Sequence, residues 1–137
     1  MAAITAKYLG DIRVEASHEA SGATLITDSP VDIGGKGRSF SPTDLCAASL
    51  GMCAMSMMAV YGKNHEIDVE GMGMEINKIM SQDAPRRIAR IEITFTMPDR
   101  GYTEKQKLSL ERAAKSCPVH NSLHPDTEQV FLFQWAK

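Results

Sequence analysis

Three cysteines, Cys46, Cys53 and Cys117, are the residues of this chain best able to do covalent chemistry. Cys53 lies about three turns into an apolar stretch with helical character. As a packed residue it is a small core hydrophobe. As a nucleophile it needs a cation from elsewhere in the fold, because a helix dipole acts only near the first turn. Cys117 precedes Pro118, and if that proline opens a helical turn, Cys117 is the N-cap. Backbone N–H groups at such a position favour a thiolate. The competing reading of Cys-Pro is a plain helix stop. Cys46 and Cys53 stand seven residues apart, on nearly one helix face and about 10 Å apart by helical rise. That is too far for a disulfide within one helix, so Cys46 reads as packing.

Other chemistries have less support. No Cys-x₂₋₄-Cys occurs, and of the four histidines only His120 and His124 are closely spaced, between Pro118 and Pro125. Cys117, His120 and His124 make a weak candidate zinc set. Nothing specifies a hydrolase triad with its oxyanion hole. Gly34-Gly35-Lys36-Gly37 follows no clear strand and opens no helix, which argues against a phosphate loop.

The elements that must position these thiols can be read along the chain. Ile12, Val14 and Ala16 alternate with polar residues, a turn covers 20–23, and Thr24 to Thr27 extends again. Residues 29–40 hold a proline and three glycines and read as a loop. Ser41-Pro42-Thr43-Asp44 then opens a helix, with Ser41 as cap, Pro42 at the first position and Asp44 as capping-box partner. The helix runs to about residues 60–62 and is nearly uncharged, so it must be buried on most sides. A chain this small covers such a helix with difficulty, which motivates a dimer.

Further on, Ile67 and Val69 share one parity and Met72, Met74 and Ile76 the other, predicting a strand with a bulge at 71–73. After a turn at 82–85, Ile91, Ile93, Phe95 and Met97 alternate with polar residues. Thr103 and Gln106 cap a second helix through Leu108, Leu110, Ala113 and Ala114, and Cys117-Pro118 ends it. Phe131, Phe133 and Trp135 mark a last strand. The order predicts an α+β fold.

Composition narrows the classes. The 137 residues predict a single domain over 1–137, and 43% hydrophobic with 23% charged residues is globular rather than disordered. A formal charge of −2 offers no basic excess for nucleic acid. The longest apolar run, near 50–60, reads as too short and broken to span a membrane. No signal peptide is evident at the start, and an odd cysteine count argues against a paired secreted framework. The expected location is cytoplasmic.

Two stretches carry a family resemblance. Ser41-Pro42-Thr43-Asp44-Leu45, Ala47-Ala48 and Leu50-Gly51-Met52-Cys53 are similar to the helix motif of the OsmC/Ohr family, the osmotically inducible and organic hydroperoxide resistance proteins. Ala113-Ala114, Cys117-Pro118-Val119 and Ser122-Leu123 resemble that family's second cysteine motif, and the order of elements agrees along essentially the whole chain. The chain most resembles the broader OsmC-like branch. The resemblance implies two main helices with antiparallel sheets in an intertwined homodimer, and a stress-response thiol peroxidase site at the dimer interface. Cys53 would attack an organic hydroperoxide and become a sulfenic acid, and Cys117 would resolve it as a disulfide. A lipoyl-like or other dithiol would then restore both thiols. No metal or organic cofactor is implied.

One departure concerns the helix start. Peroxidase members carry a glutamate directly after the motif's proline, where it orients an activating arginine; here that place is Thr43, with Asp44 next. Asp44 either substitutes for it or serves the helix cap. The arginine is Arg13 or Arg38, with Arg13 favoured because strands hold groups better than loops. Apolar neighbours such as Phe40, Met52 and Met57 would line a pocket for an alkyl tail. The alternative function is a non-catalytic module binding a small apolar or thiol ligand at the same interface.

Overall fold

The computed structural model describes residues 2–136. The chain falls into two compact units, Met1–Cys46 and Ala47–Lys137.

The first unit is an antiparallel three-stranded sheet of β1 (Ile4–Gly10), β2 (Arg13–His18) and β3 (Thr24–Asp28), followed by a loop. Ile12 falls in the hairpin turn rather than in a strand: Asp11 and Ile12 take φ of 57° and 56°, as a two-residue type I′ turn requires. The Tyr8 hydroxyl braces that turn by accepting the Ile12 N–H at 3.1 Å. Strand pairing sets Ile4, Ala6 and Tyr8 beside His18, Ala16 and Val14, and Ala16 beside Leu25. Ile4, Tyr8, Val14 and Leu25 therefore share one face, and all four are exposed.

The loop after β3 is tied to a buried carboxylate. Asp28 is fully buried and accepts from the Lys36 N–H (3.4 Å), the Arg38 N–H (3.2 Å) and Arg38 Nε (2.7 Å). The Arg38 guanidinium holds the Asp28 carboxyl below its ordinary range, against the opposing effect of burial. Gly35 packs so closely on Ser29 that an added Cβ would lie 1.8 Å from the Ser29 carbonyl oxygen. The unit ends in the predicted cap. Ser41 Oγ accepts the Asp44 N–H and the Asp44 carboxylate accepts the Ser41 N–H, both at 3.0 Å.

That cap opens α1 (Pro42–Asn64), slightly longer than its sequence pattern indicated. An 18-residue window of α1 has mean hydropathy 1.5, so by length and composition alone the helix could cross a membrane, contrary to the reading of its broken apolar run. In the fold it is a core helix. Ala47, Leu50, Ala54 and Met58 are buried on one stripe, and at Gly51 an added Cβ would meet Ile76 and Met74 at 2.8 Å. The opposite side carries Met52 and Val60, 59% and 51% exposed, so one chain covers only part of the helix.

The second unit also contains β4 (Gly73–Met80), β5 (Ile88–Thr96), α2 (Glu104–Lys115), α3 (Pro118–Ser122) and β6 (Glu128–Gln134). Residues 67–72 form no strand: the Ile67 N–H bonds the Gly62 carbonyl at 2.8 Å, turning the chain back on the helix end. Ile91, Ile93, Phe95 and Met97 are buried as their alternation predicts. Thr103 and Gln106 form the predicted capping box. One expectation is corrected. The second sheet is mixed rather than antiparallel, because β4 pairs antiparallel with β5 but β6 pairs parallel with it. The two helices between β5 and β6 return the chain to the same end, as a crossover to a parallel strand must.

Candidate functional site

Cys53 and Cys117 meet within the second unit. Cys53 is half-buried, the fourth turn of α1 carrying it among core residues. Cys117 is fully buried and is the N-cap of α3, with φ −70° and ψ 137°. Its Sγ accepts the His120 backbone N–H at 3.2 Å, and the Cys53 thiol is a close enough neighbour to act on its titration. Residues 64 apart in sequence thus form one dithiol, and both are free cysteines.

The electrostatics of Cys117 differ from what its cap position suggested. Burial pushes its thiol above the ordinary range, the neighbouring Cys53 adds to that, and the His120 N–H opposes it without prevailing. Desolvation outweighs the cap because a thiolate in this setting loses water on every side. Cys117 is therefore a thiol at neutral pH. Its raised folded value means that its contribution to stability is complete below about pH 8.5, the unperturbed value. It is lost as pH rises through the folded value. Titrating thiolate absorbance in a Cys46→Ser, Cys53→Ser protein should place Cys117 above a free cysteine; a value at or below one would contradict this geometry.

The remaining candidates are distributed as follows. Cys46 is half-buried on α1. Asp44 commits a carboxylate oxygen to the Ser41 N–H, so it serves the helix cap. Arg38 is held on two sides, by Asp28 at 2.7 Å and by Asp11 at 3.0 Å. Arg13 follows the Asp11–Ile12 turn on β2, and among the described residues its buried Nε has no hydrogen-bond partner.

The zinc set is not assembled. His120 Nδ1 faces Gln129, His124 Nδ1 accepts the Asp126 N–H, and among the described residues no group of three His, Cys, Asp or Glu could hold a metal. An open groove of about 770 Å³ runs along α1, lined by Met52, Met55, Ile67, Val69 and Met72 with Glu66, Asp68 and Glu70 at its edge. Met57 packs on the core instead, and Phe40 is exposed in the first unit. The contact of His120 with Gln129 has no signal in the sequence, since a helix and a strand deliver the two residues independently.

A profile of the OsmC-like protein family matches residues 35–129, which include both cysteines. This chain belongs to the OsmC-like family. Solved structures agree. This OsmC-like protein is 37% identical, with a TM-score of 0.92, to a candidate osmotic stress induced and detoxification response protein from Psychrobacter arcticus, over 98% of this chain and 96% of that one. It shares its fold with the organic hydroperoxide resistance protein OsmC from Legionella pneumophila, at 18% identity and TM-score 0.73, over 98% of both chains. A second fold relative is an organic hydroperoxide resistance protein from Elizabethkingia anophelis, at 18% identity and TM-score 0.75, over 99% of this chain and 98% of that one. No curated protein matches the chain.

Proposed function

We propose that this OsmC-like protein is a cysteine-based peroxidase that reduces organic hydroperoxides. The observation that carries the reading is that Cys53 and Cys117 are neighbours, Cys53 near enough to act on the Cys117 thiol. The Cys53 thiolate attacks the terminal oxygen of the hydroperoxide; an S–O bond forms, the O–O bond breaks, and the alcohol leaves with a proton. Cys117 then attacks the sulfenic sulfur. The S–S bond forms, the S–O bond breaks, and the thiol proton of Cys117 leaves with hydroxide as water. A dithiol, lipoyl-like or other, restores both cysteines by exchange, with no metal or organic cofactor.

The arginine assigned to the site is Arg13, for its buried Nε without a hydrogen-bond partner among the described residues; Arg38 is already paired with two carboxylates. Asp44 fixes the first turn of α1. The working form is a homodimer in a cytoplasmic, reducing setting. Its support is the apolar surface left open by one chain: Ile4, Tyr8 and Leu25 on the first sheet, Met52 and Val60 on α1. Burial of such surface stabilises by roughly 25 cal/mol per Å².

A binding module without turnover is the second reading, favoured by Thr43 in the place of the family's glutamate and by the apolar groove along α1. The deciding experiment treats reduced protein with about one equivalent of cumene hydroperoxide and maps disulfides by mass spectrometry, with Cys53→Ser alongside. A fast Cys53–Cys117 disulfide in the parent, with Cys117 unoxidised in the variant, supports the peroxidase. Slow, scattered oxidation of all three thiols rejects it and leaves the binding module.

A further inference from the structure

Cys117 is held by a five-residue helix, too short to be stable on its own. Something must fix α3. Gln129 on β6 meets His120 twice: its Nε2 donates to the His120 carbonyl at 3.1 Å, and its Oε1 lies 2.5 Å from His120 Nδ1. A carbonyl only accepts, so the amide nitrogen must face it and the amide oxygen must face the ring. His120 Nδ1 therefore carries the hydrogen and donates to Gln129. The same His120 supplies the backbone N–H that reaches Cys117 Sγ at 3.2 Å. Gln129 is itself fixed by β6, whose register pairs it with Ile91, a fully buried residue of β5. The Phe131 ring lies 5.7 Å from the His120 ring, bracing the imidazole from the same strand. The chain of contacts runs from buried sheet to Gln129, from Gln129 to His120, and from His120 to the sulfur.

We propose that Gln129 is a positioning residue for the Cys53–Cys117 dithiol: it clamps His120 through ring and carbonyl, and so keeps Cys117 Sγ on Cys53. Gln129 touches neither sulfur. It lowers the freedom of the resolving thiol and leaves the attack of Cys53 on peroxide unaltered. For its rate effect the proposal rests on the peroxidase reading; for its equilibrium effect it rests on the dithiol alone.

Gln129→Met keeps the length of the side chain and removes both hydrogen bonds. Gln129→Glu keeps an acceptor for the ring and loses the donor to the carbonyl. Reduced proteins are mixed rapidly with cumene hydroperoxide, and dimedone traps any sulfenic acid before mass spectrometry. In Gln129→Met, Cys53 should oxidise within about twofold of the parent rate, while the disulfide forms about tenfold more slowly and the dimedone adduct grows. Gln129→Glu should fall between. A merely structural role would slow both steps together or neither, and an unchanged rate of disulfide formation overturns the proposal.

A second measurement needs no peroxide. Equilibration with reduced and oxidised glutathione gives the effective concentration of Cys117 towards Cys53, which should fall about tenfold in Gln129→Met. If the parent forms no disulfide with peroxide, the peroxidase reading fails, and this equilibrium alone decides the proposal. No change in it overturns the clamp. Circular dichroism identifies a variant that has not folded, in which case Gln129→Glu carries both measurements.

Discussion

Replacing Cys117 with serine is expected to leave one fast reaction with peroxide and then stop the protein. The substitution keeps the fold because serine is a good N-cap, and its Oγ can accept the His120 N–H that Cys117 Sγ accepts at 3.2 Å. It also leaves Cys53 on α1 undisturbed. What it removes is the sulfur that neighbours Cys53. Resolution would then depend on a thiol from solution, and losing a pre-positioned partner reduces steady-state turnover by about 100-fold or more. The first reaction should persist as a burst of one equivalent, with a dimedone-reactive sulfenic acid on Cys53. Cys53→Ser should abolish the burst as well. Steady turnover by Cys117→Ser at the parent rate would remove Cys117 from the mechanism.

Gly35→Ala should be among the most damaging single substitutions for stability. Its Cβ would sit 1.8 Å from the Ser29 carbonyl oxygen and 2.3 Å from its carbon. Both obstacles are backbone, so no side chain can rotate away. The loop must open, breaking the bond of the Gly35 N–H to Pro30 and that of the Gly37 N–H to Ser29. The Lys36 and Arg38 N–H groups would then also leave the buried Asp28. Two loop bonds at about 1 kcal/mol each, with donors and acceptors left unpaired, bring the expected loss to about 3 kcal/mol or more. Gly73→Ala is the control, since nothing lies within 4 Å of its added Cβ, and its effect should stay within about 1 kcal/mol. Chemical denaturation of both variants measures the difference. Equal midpoints would mean that residues 29–40 are not packed as described.

Local signals were legible where local physics decides. The Ser41 and Thr103 capping boxes, the N-cap role of Cys117 and the buried face of Ile91, Ile93 and Phe95 all follow from neighbours a few residues away. Structure departs from local pattern where a distant partner competes with it. Ile67 and Val69 alternate like a strand, but the Ile67 N–H bonds the end of α1 and has no ladder to join. Ile12 alternates with Val14, yet its positive φ places it in the hairpin turn. The direction of β6 was hidden because strand alternation reads the same in parallel and antiparallel sheets.

The candidate site divides along the same line. Cys53, Cys117 and the family motifs around them could be read from sequence alone, because motif spacing is a property of the chain. That the two sulfurs meet depends on α1 and α3 packing over one sheet, a contact between residues far apart along the chain. The state of Cys117 was also decided there: its cap position favours a thiolate, and burial outweighs it. The surroundings of the arginines followed suit, since only the folded loop engages Arg38 with Asp11 and Asp28 and, among the described residues, leaves Arg13 Nε without a partner. By itself the sequence determined the family motifs, the candidate thiols within them and where the helices start. Tertiary structure decided which thiols are neighbours, the protonation of Cys117 and the hold of Gln129 on His120, because those depend on desolvation and on contacts that no local spacing encodes.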